Sequence, residues 1–266
     1  MDGIRGSVAG EGGVPIGTLT SGSGPPLVLV HGGFGQIERW APLWEALTDS
    51  FQVTAMDRRG RGTSGDHHEY RIEQEYADIA AVIVAVAAAA STPVHVFAHS
   101  YGATCALGVR GLGALIGRML LYEPPGPPTV PEEWVRRATA LINNGQPGPA
   151  MVSFLSEVIG LRPEEIDALR RAPMGYDVLA VVSATLPREA HALSRVDPAA
   201  LARDLDCPIT LLLGDHSPAW AGAVTAAITD AAPSAEVLAL PGCGHDAIDM
   251  APDLIVSQLR PQPLSA

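Results

Sequence analysis

Ser100 stands where a serine can be made to react. It follows Val94-His95-Val96-Phe97-Ala98-His99, an apolar, β-branched run, and precedes Tyr101-Gly102-Ala103 and a stretch rich in Ala, Leu and Gly. The pattern predicts a strand, a sharp turn and a helix, with the serine at the apex. A turn this tight strains the serine backbone, exposes the hydroxyl and aims the first helical amides at whatever it attacks. Small residues are needed two places before and two places after the serine, where helix and strand backbones cross. Ala98 and Gly102 fill those places. The same residues also suit a plain N-cap serine after a buried strand. A serine hydroxyl is a poor nucleophile at neutral pH and needs a base within hydrogen-bond reach. His245 is the candidate, with His31, His99 and His216 as rivals. His99 should turn to the core side of its bend, and His31 should brace the loop in which it lies.

Four stretches resemble the α/β-hydrolase superfamily. They are Ala98-His99-Ser100-Tyr101-Gly102, His31-Gly32-Gly33-Phe34-Gly35, Asp57-Arg58-Arg59-Gly60-Arg61-Gly62-Thr63-Ser64 and Gly242-Cys243-Gly244-His245. The first departs from the usual Gly-x-Ser-x-Gly at Ala98, a residue that is still small. The resemblance implies an α/β-hydrolase fold: an eight-stranded, mostly parallel sheet flanked by helices, with a helical cap insertion. It implies Ser100 as nucleophile and His245 as base. It also implies an oxyanion hole from the amides of Gly33 and Tyr101, with Phe34 next in line. The loop from Asp57 to Ser64 is taken as structural, with Asp57 and Arg58 tying it down. Its three arginines could instead hold an anionic substrate. The slot where most relatives carry the acid holds Ser217, followed by Pro218. Asp215 lies two residues short of it. Glu123, before Pro124 and Pro125, ends the strand after the elbow helix, where some relatives carry a Glu. Glu123 is favoured as the acid, with Asp215 as the alternative. For Glu123 the bland reading is an ion pair or hydrogen bond anchoring the first cap hinge.

The elements that must position these residues follow from hydrophobic pattern. Two antiparallel strands are expected between Gly3 and Thr20, then a buried strand at Leu27–Val30. A helix spans Gln36 to Leu47, a strand Phe51 to Met56, and an Ala-rich helix Tyr76 to Ala90. After the elbow comes a strand at Met119–Tyr122. From Gly126 to about Leu186 the alternation stops. Helix-like blocks replace it at Pro131–Ile142, Gly148–Ile159, Pro163–Arg171 and Met174–Thr185, several led by proline. Strands resume at Cys207–Leu213 and Glu236–Leu240, with a helix Ala219–Ala231 between them and a closing helix Ala247–Leu259. The expected organisation is a core of residues 1–123 and 187–266, interrupted by a cap at 124–186. Trp134, Phe154, Leu155, Met174 and Tyr176 are candidates for the pocket roof, or else for packing within the cap.

Composition narrows the function. The chain has 266 residues, is 47% hydrophobic and carries a net charge of −12, enough for one sizeable core and unlike a nucleic-acid surface. Its 17 basic residues are all arginine. The 3 cysteines, Cys105, Cys207 and Cys243, are an odd, widely spaced set that suits reduced thiols in the cytoplasm. No signal peptide, membrane span or metal-ligand cluster is expected, and no cofactor is required. His67 and His68 are expected in solvent. A serine at the elbow points away from the aspartate-nucleophile chemistries of this superfamily. The expectation is a serine hydrolase acting on an ester, lactone or thioester of a small to medium hydrophobic substrate. The alternatives are a biosynthetic acyltransferase, lyase or cyclase using the same site, or a non-catalytic small-molecule binder. The expected partner is a small-molecule substrate, and a monomer or homodimer is expected.

Overall fold

In the computed structural model, which describes residues 1–161, 163–164, 166–167 and 185–260, eight strands form one sheet. They are β1 (Ile4–Ala9), β2 (Pro15–Ser21), β3 (Pro26–Val30), β4 (Gln52–Met56), β5 (Val94–His99), β6 (Ile116–Tyr122), β7 (Ile209–Gly214) and β8 (Glu236–Leu240). Their order is β1-β2-β4-β3-β5-β6-β7-β8. Only the pairs β1–β2 and β2–β4 are antiparallel. The central strands are largely apolar because both faces are covered. Along β3, Leu27 and Leu29 join one core with Phe97, Trp40 and Ile255, while Val28 and Val30 join the other with Val96, Ile79 and Ile83. This two-residue alternation fixes register: a slip by one would exchange the two cores.

The path of the chain selects the position of the site. The connection after β3 runs outward to β4, and the next crosses β3 to enter β5 on its other side. Between β3 and β5 the connections therefore leave in opposite directions, which opens a crevice at their carboxyl ends. The loop His31–Gly35 and the turn at Ser100 lie at those two ends.

Several helices depart from the simple pattern where proline intervenes. The helix expected over Gln36–Leu47 is a 3-10 turn, Ile37–Trp40, and a short α1 (Trp44–Thr48), with Pro42 between them. α2 (Ile72–Ala90) begins a turn earlier than hydrophobicity marked, and α3 (Tyr101–Leu107) follows the elbow. α4 (Glu132–Asn143) starts after Pro131, and α5 (Pro147–Ser153) runs on into a π-helical turn, Phe154–Val158. Residues 168–184, which include Met174 and Tyr176, fall outside the described residues. α6 (Leu186–Leu193) and α7 (Pro198–Arg203) lead back to the sheet. α8 (Ala219–Ala231) joins the last two strands, and Pro252 splits the closing segment into α9 (Ala247–Met250) and α10 (Pro252–Leu259). Among the described residues no helix is long and apolar enough to cross a membrane.

Close backbone approach holds the elbow. A Cβ on Gly102 would lie 2.3 Å from the His31 carbonyl oxygen and 2.8 Å from that of Val30, so the first turn of α3 rests directly on β3. A Cβ on Gly222, within α8, would meet nothing within 4 Å. Gly102→Val is expected to lower the unfolding free energy by about 2 kcal/mol or more, since only backbone can move aside. Gly222→Ala should raise it by about 0.5–1 kcal/mol through helix propensity. Urea unfolding of both variants checks the contrast. Equal effects would show that the crossing at Gly102 is not tight.

Candidate active site

Ser100 caps α3 with φ 54° and ψ −130°, a conformation that L-residues seldom adopt. Its amide donates to the Tyr122 carbonyl at 2.8 Å, which ties the strained residue to β6. Gly32 passes close on the other side, where a Cβ would lie 2.9 Å from that of Ser100. The amides of Gly33, Phe34 and Tyr101 donate to no acceptor among the described residues. They are free to receive a ligand oxygen.

Glu123 follows β6 with φ 47° and is fully buried. One carboxylate oxygen, Oε2, lies 2.6 Å from His245 Nδ1. The other, Oε1, accepts the Gly214 amide at 2.9 Å and the Ser217 hydroxyl. Asp215 is not brought to His245. It is half-exposed and turns to the far side of its loop, where it accepts the Gly242 amide at 2.8 Å. Ser217, in the position of the missing acid, supports Glu123 as a hydrogen-bond donor. His216 is exposed, and His67 and His68 are exposed too.

Two further histidines are fixed as neutral braces. Arg58 donates its amide to His31 Nε2 at 3.0 Å, so the ring carries its proton on Nδ1 and donates to the Gly32 carbonyl at 2.9 Å. Burial, with Arg58 beside it, pushes the His31 imidazole well below its ordinary value. His99 stacks on Tyr122 at 4.9 Å, and its Nε2 donates to the His245 carbonyl at 3.2 Å. Burial, then the neighbouring His245, holds it well below its ordinary value. Tyr122 donates its hydroxyl to the Gly244 carbonyl and accepts the Ala247 amide at 3.1 Å, clamping both ends of the histidine loop.

The arginine-rich loop is structural. Asp57 Oδ1 accepts the Ile37 amide at 2.8 Å, and Oδ2 accepts the Thr63 amide at 2.8 Å and its hydroxyl at 3.0 Å. Arg59 forks onto Asp78 at 2.7 and 2.9 Å. Arg58 and Arg61 both donate to Glu189 Oε1, at 2.5 and 2.7 Å. All three guanidinium groups are buried and engaged with carboxylates, and none lines the cavity. The alternative role of these arginines in holding an anionic substrate is thereby removed.

Ser100 and His245 open into one largely apolar cavity of about 880 Å³. Phe34, Phe154, Leu155 and Trp220 are among its walls. Trp134 is not. Its ring packs edge-on behind Phe154 at 5.3 Å, and its indole N–H donates to Ser153 at 2.8 Å, so it is core rather than roof. Trp220, whose ring stands 5.2 Å from His245, was missed in sequence because it sits in a helix with no distinctive spacing. Glu189 was missed because nothing local marks it; its partners are 131 and 128 residues away.

A family model described as the alpha/beta hydrolase family matches residues 27–258. The chain belongs to the alpha/beta hydrolase family. Among relatives in this family, the 2-(acetamidomethylene)succinate hydrolase of Mesorhizobium japonicum is 26% identical over 261 residues, 92% of each chain. The crystal structure of an alpha/beta hydrolase from Sphaerobacter thermophilus superposes with a TM-score of 0.82 at 34% identity, covering 96% of this chain and 98% of that one. The enol-lactonase of Burkholderia xenovorans shares the hydrolase fold at a TM-score of 0.76 and 21% identity, covering 96% and 98%.

The lowered imidazoles have a definite consequence for stability. Below the unfolded histidine value of about 6.5 the unfolded chain binds protons that buried His31 and His99 refuse, so this stability is present above that pH and lost below it. Each such group contributes a slope of up to about 1.4 kcal/mol per pH unit. The raised carboxyls of Asp57, Glu75 and Asp78 act with the opposite sign at lower pH. Comparing wild type with His31→Gln, which has no proton to bind, isolates the imidazole. Unfolding free energies at pH 7.5 and 5.5 should differ more for wild type than for the variant. An equal or smaller wild-type difference would show that His31 protonates within the fold.

Proposed function

We propose that the protein is a serine hydrolase that cleaves an ester, lactone or thioester of a small to medium hydrophobic substrate through an acyl-enzyme. The observation that carries this reading is the buried Glu123 carboxylate 2.6 Å from His245 Nδ1, with His245 and Ser100 facing one cavity. Supporting it are the strained serine at the head of α3 and the free amides on either side of it. Residues 124–186 are proposed as the cap, since Met151, Phe154, Leu155 and Ile159 wall the cavity above Ser100.

In the proposed mechanism Glu123 keeps the His245 proton on Nδ1, leaving Nε2 as the base. Nε2 takes the Ser100 proton as Oγ attacks the carbonyl carbon. Negative charge gathers on the carbonyl oxygen and is met by the Gly33 and Tyr101 amides, with Phe34 adjoining. His245 then gives its proton to the leaving oxygen or sulfur, and the bond to the acyl carbon breaks. Water, deprotonated by His245, attacks the acyl-enzyme, and the proton returns to Ser100 as the acid departs. The apolar cavity walls exclude competing water and favour hydrophobic acyl groups.

Intact mass after incubation with a small fluorophosphonate tests the nucleophile. Wild type should gain one label rapidly, and Ser100→Ala should gain none; unlabelled, well-folded wild type would overturn the assignment. Chromogenic ester hydrolysis tests the acid. Glu123→Gln should lower kcat by about 10²–10⁴-fold through loss of the imidazole's orienting partner, and Asp215→Asn should change it by less than about threefold. The opposite ranking would transfer the role to Asp215.

A further inference from the structure

We infer that Glu189 sets which acyl groups the cavity accepts: its Oε2 takes a hydrogen bond from an N–H or O–H on a neutral acyl chain and turns away a chain that carries a carboxylate. This deepens the hydrolase reading above and rests on it for the position of the reacting carbonyl.

Glu189 lies on α6, where the chain returns from the helical block to the core, and lines the cavity. Its side chain is 2% exposed. Oε1 is saturated by Arg58 and Arg61, as described. Oε2 has no hydrogen-bond partner among the described residues, although it is buried. It faces Gly33, where a Cβ would lie 3.5 Å from Oε2, with Leu186 at 3.7 Å beside it. Gly33 is a proposed donor to the carbonyl oxygen of the substrate. An acyl chain that passes Gly33 would therefore run close to Oε2.

A buried acceptor without a donor is unfavourable, and a ligand that supplies one removes that deficit. A carboxylate on the ligand has the reverse effect. It brings a second acceptor and a like charge to Oε2, and loses its own hydration. Among the described residues, nothing else lining the cavity compensates for this. Its described rim carries Glu38, Glu164, Asp246 and Asp249 against one arginine, Arg39, which is paired with Asp249 at 2.8 Å.

Three methyl esters of matched shape separate these effects. Methyl succinamate ends in an amide N–H₂, methyl levulinate in a neutral ketone without a donor, and monomethyl succinate in a carboxylate. For wild type, kcat/KM should fall in that order, with levulinate about tenfold and succinate about a hundredfold below succinamate. Glu189→Gln should bring levulinate to within about threefold of succinamate, since the variant supplies a donor of its own. Binding of the same esters to Ser100→Ala, read by tryptophan fluorescence from Trp220 beside His245, should follow the wild-type order. Succinate processed or bound within about threefold of succinamate would overturn the inference, whether or not Glu189→Gln folds. Binding that keeps the order while wild type turns over none of the three would instead overturn the hydrolase reading and leave the role of Glu189 standing.

Discussion

The buried carboxylate of Glu123 is the constraint around which the rest of the site is arranged. An isolated charge in a site closed to water costs several kcal/mol, and the cost is offset only when donors surround it. Here three donors do so, from three places in the chain: the Gly214 amide at the end of β7, the Ser217 hydroxyl just beyond it, and His245 after β8. Satisfying one side chain thus joins the ends of three neighbouring strands. The left-handed backbone of Glu123 has the same origin. A residue continuing the pleat of β6 would send its side chain to one sheet face, whereas the turn carries this one along the sheet towards β7.

The second fixed point is Ser100, and it is held from both sides. Its amide is bonded to Tyr122, one residue before Glu123, so the two strained positions share a support on β6. Tyr122 also reaches the histidine loop through its hydroxyl, and His99 is stacked on its ring. One tyrosine therefore braces the proposed nucleophile through its backbone and the proposed base through its side chain. Strain of this kind persists only where surrounding contacts over-determine it. Buried rings and paired carbonyls around Ser100 meet that condition.

Much of this could be read in the sequence, and for a physical reason. The fold rests on local signals: β-branched runs, prolines at helix starts, and glycines where backbones cross. Strand ends place Ser100, Glu123 and His245 in one row, so the order of elements already brings them near one another. What stayed hidden depends on side-chain direction. Trp134 and Phe154 look alike as apolar residues in a helical block, and only packing decides that one lies behind the other. Ser217 read as a missing carboxylate, because a hydroxyl donor gains meaning only once its acceptor is known to come from β6. Glu189 is a single acidic residue on a short helix, and its link to Arg58 and Arg61 spans half the chain.

The position of the proposed acid shows what the geometry of the site requires. Tyr122 pairs with Leu212, so the strand ends that precede Glu123 and Ser217 are direct neighbours. A carboxylate from either end would have to reach the same imidazole nitrogen, and the site requires only that one be there. Two would repel each other and leave one protonated. With Glu123 in place, the neighbouring slot is better filled by a donor than by a second acid, and a serine followed by a proline at the head of α8 supplies one in a rigid frame. The serine is therefore the complement that a carboxylate on β6 requires, and the two residues are best understood as a single exchange of acceptor and donor across adjacent strands.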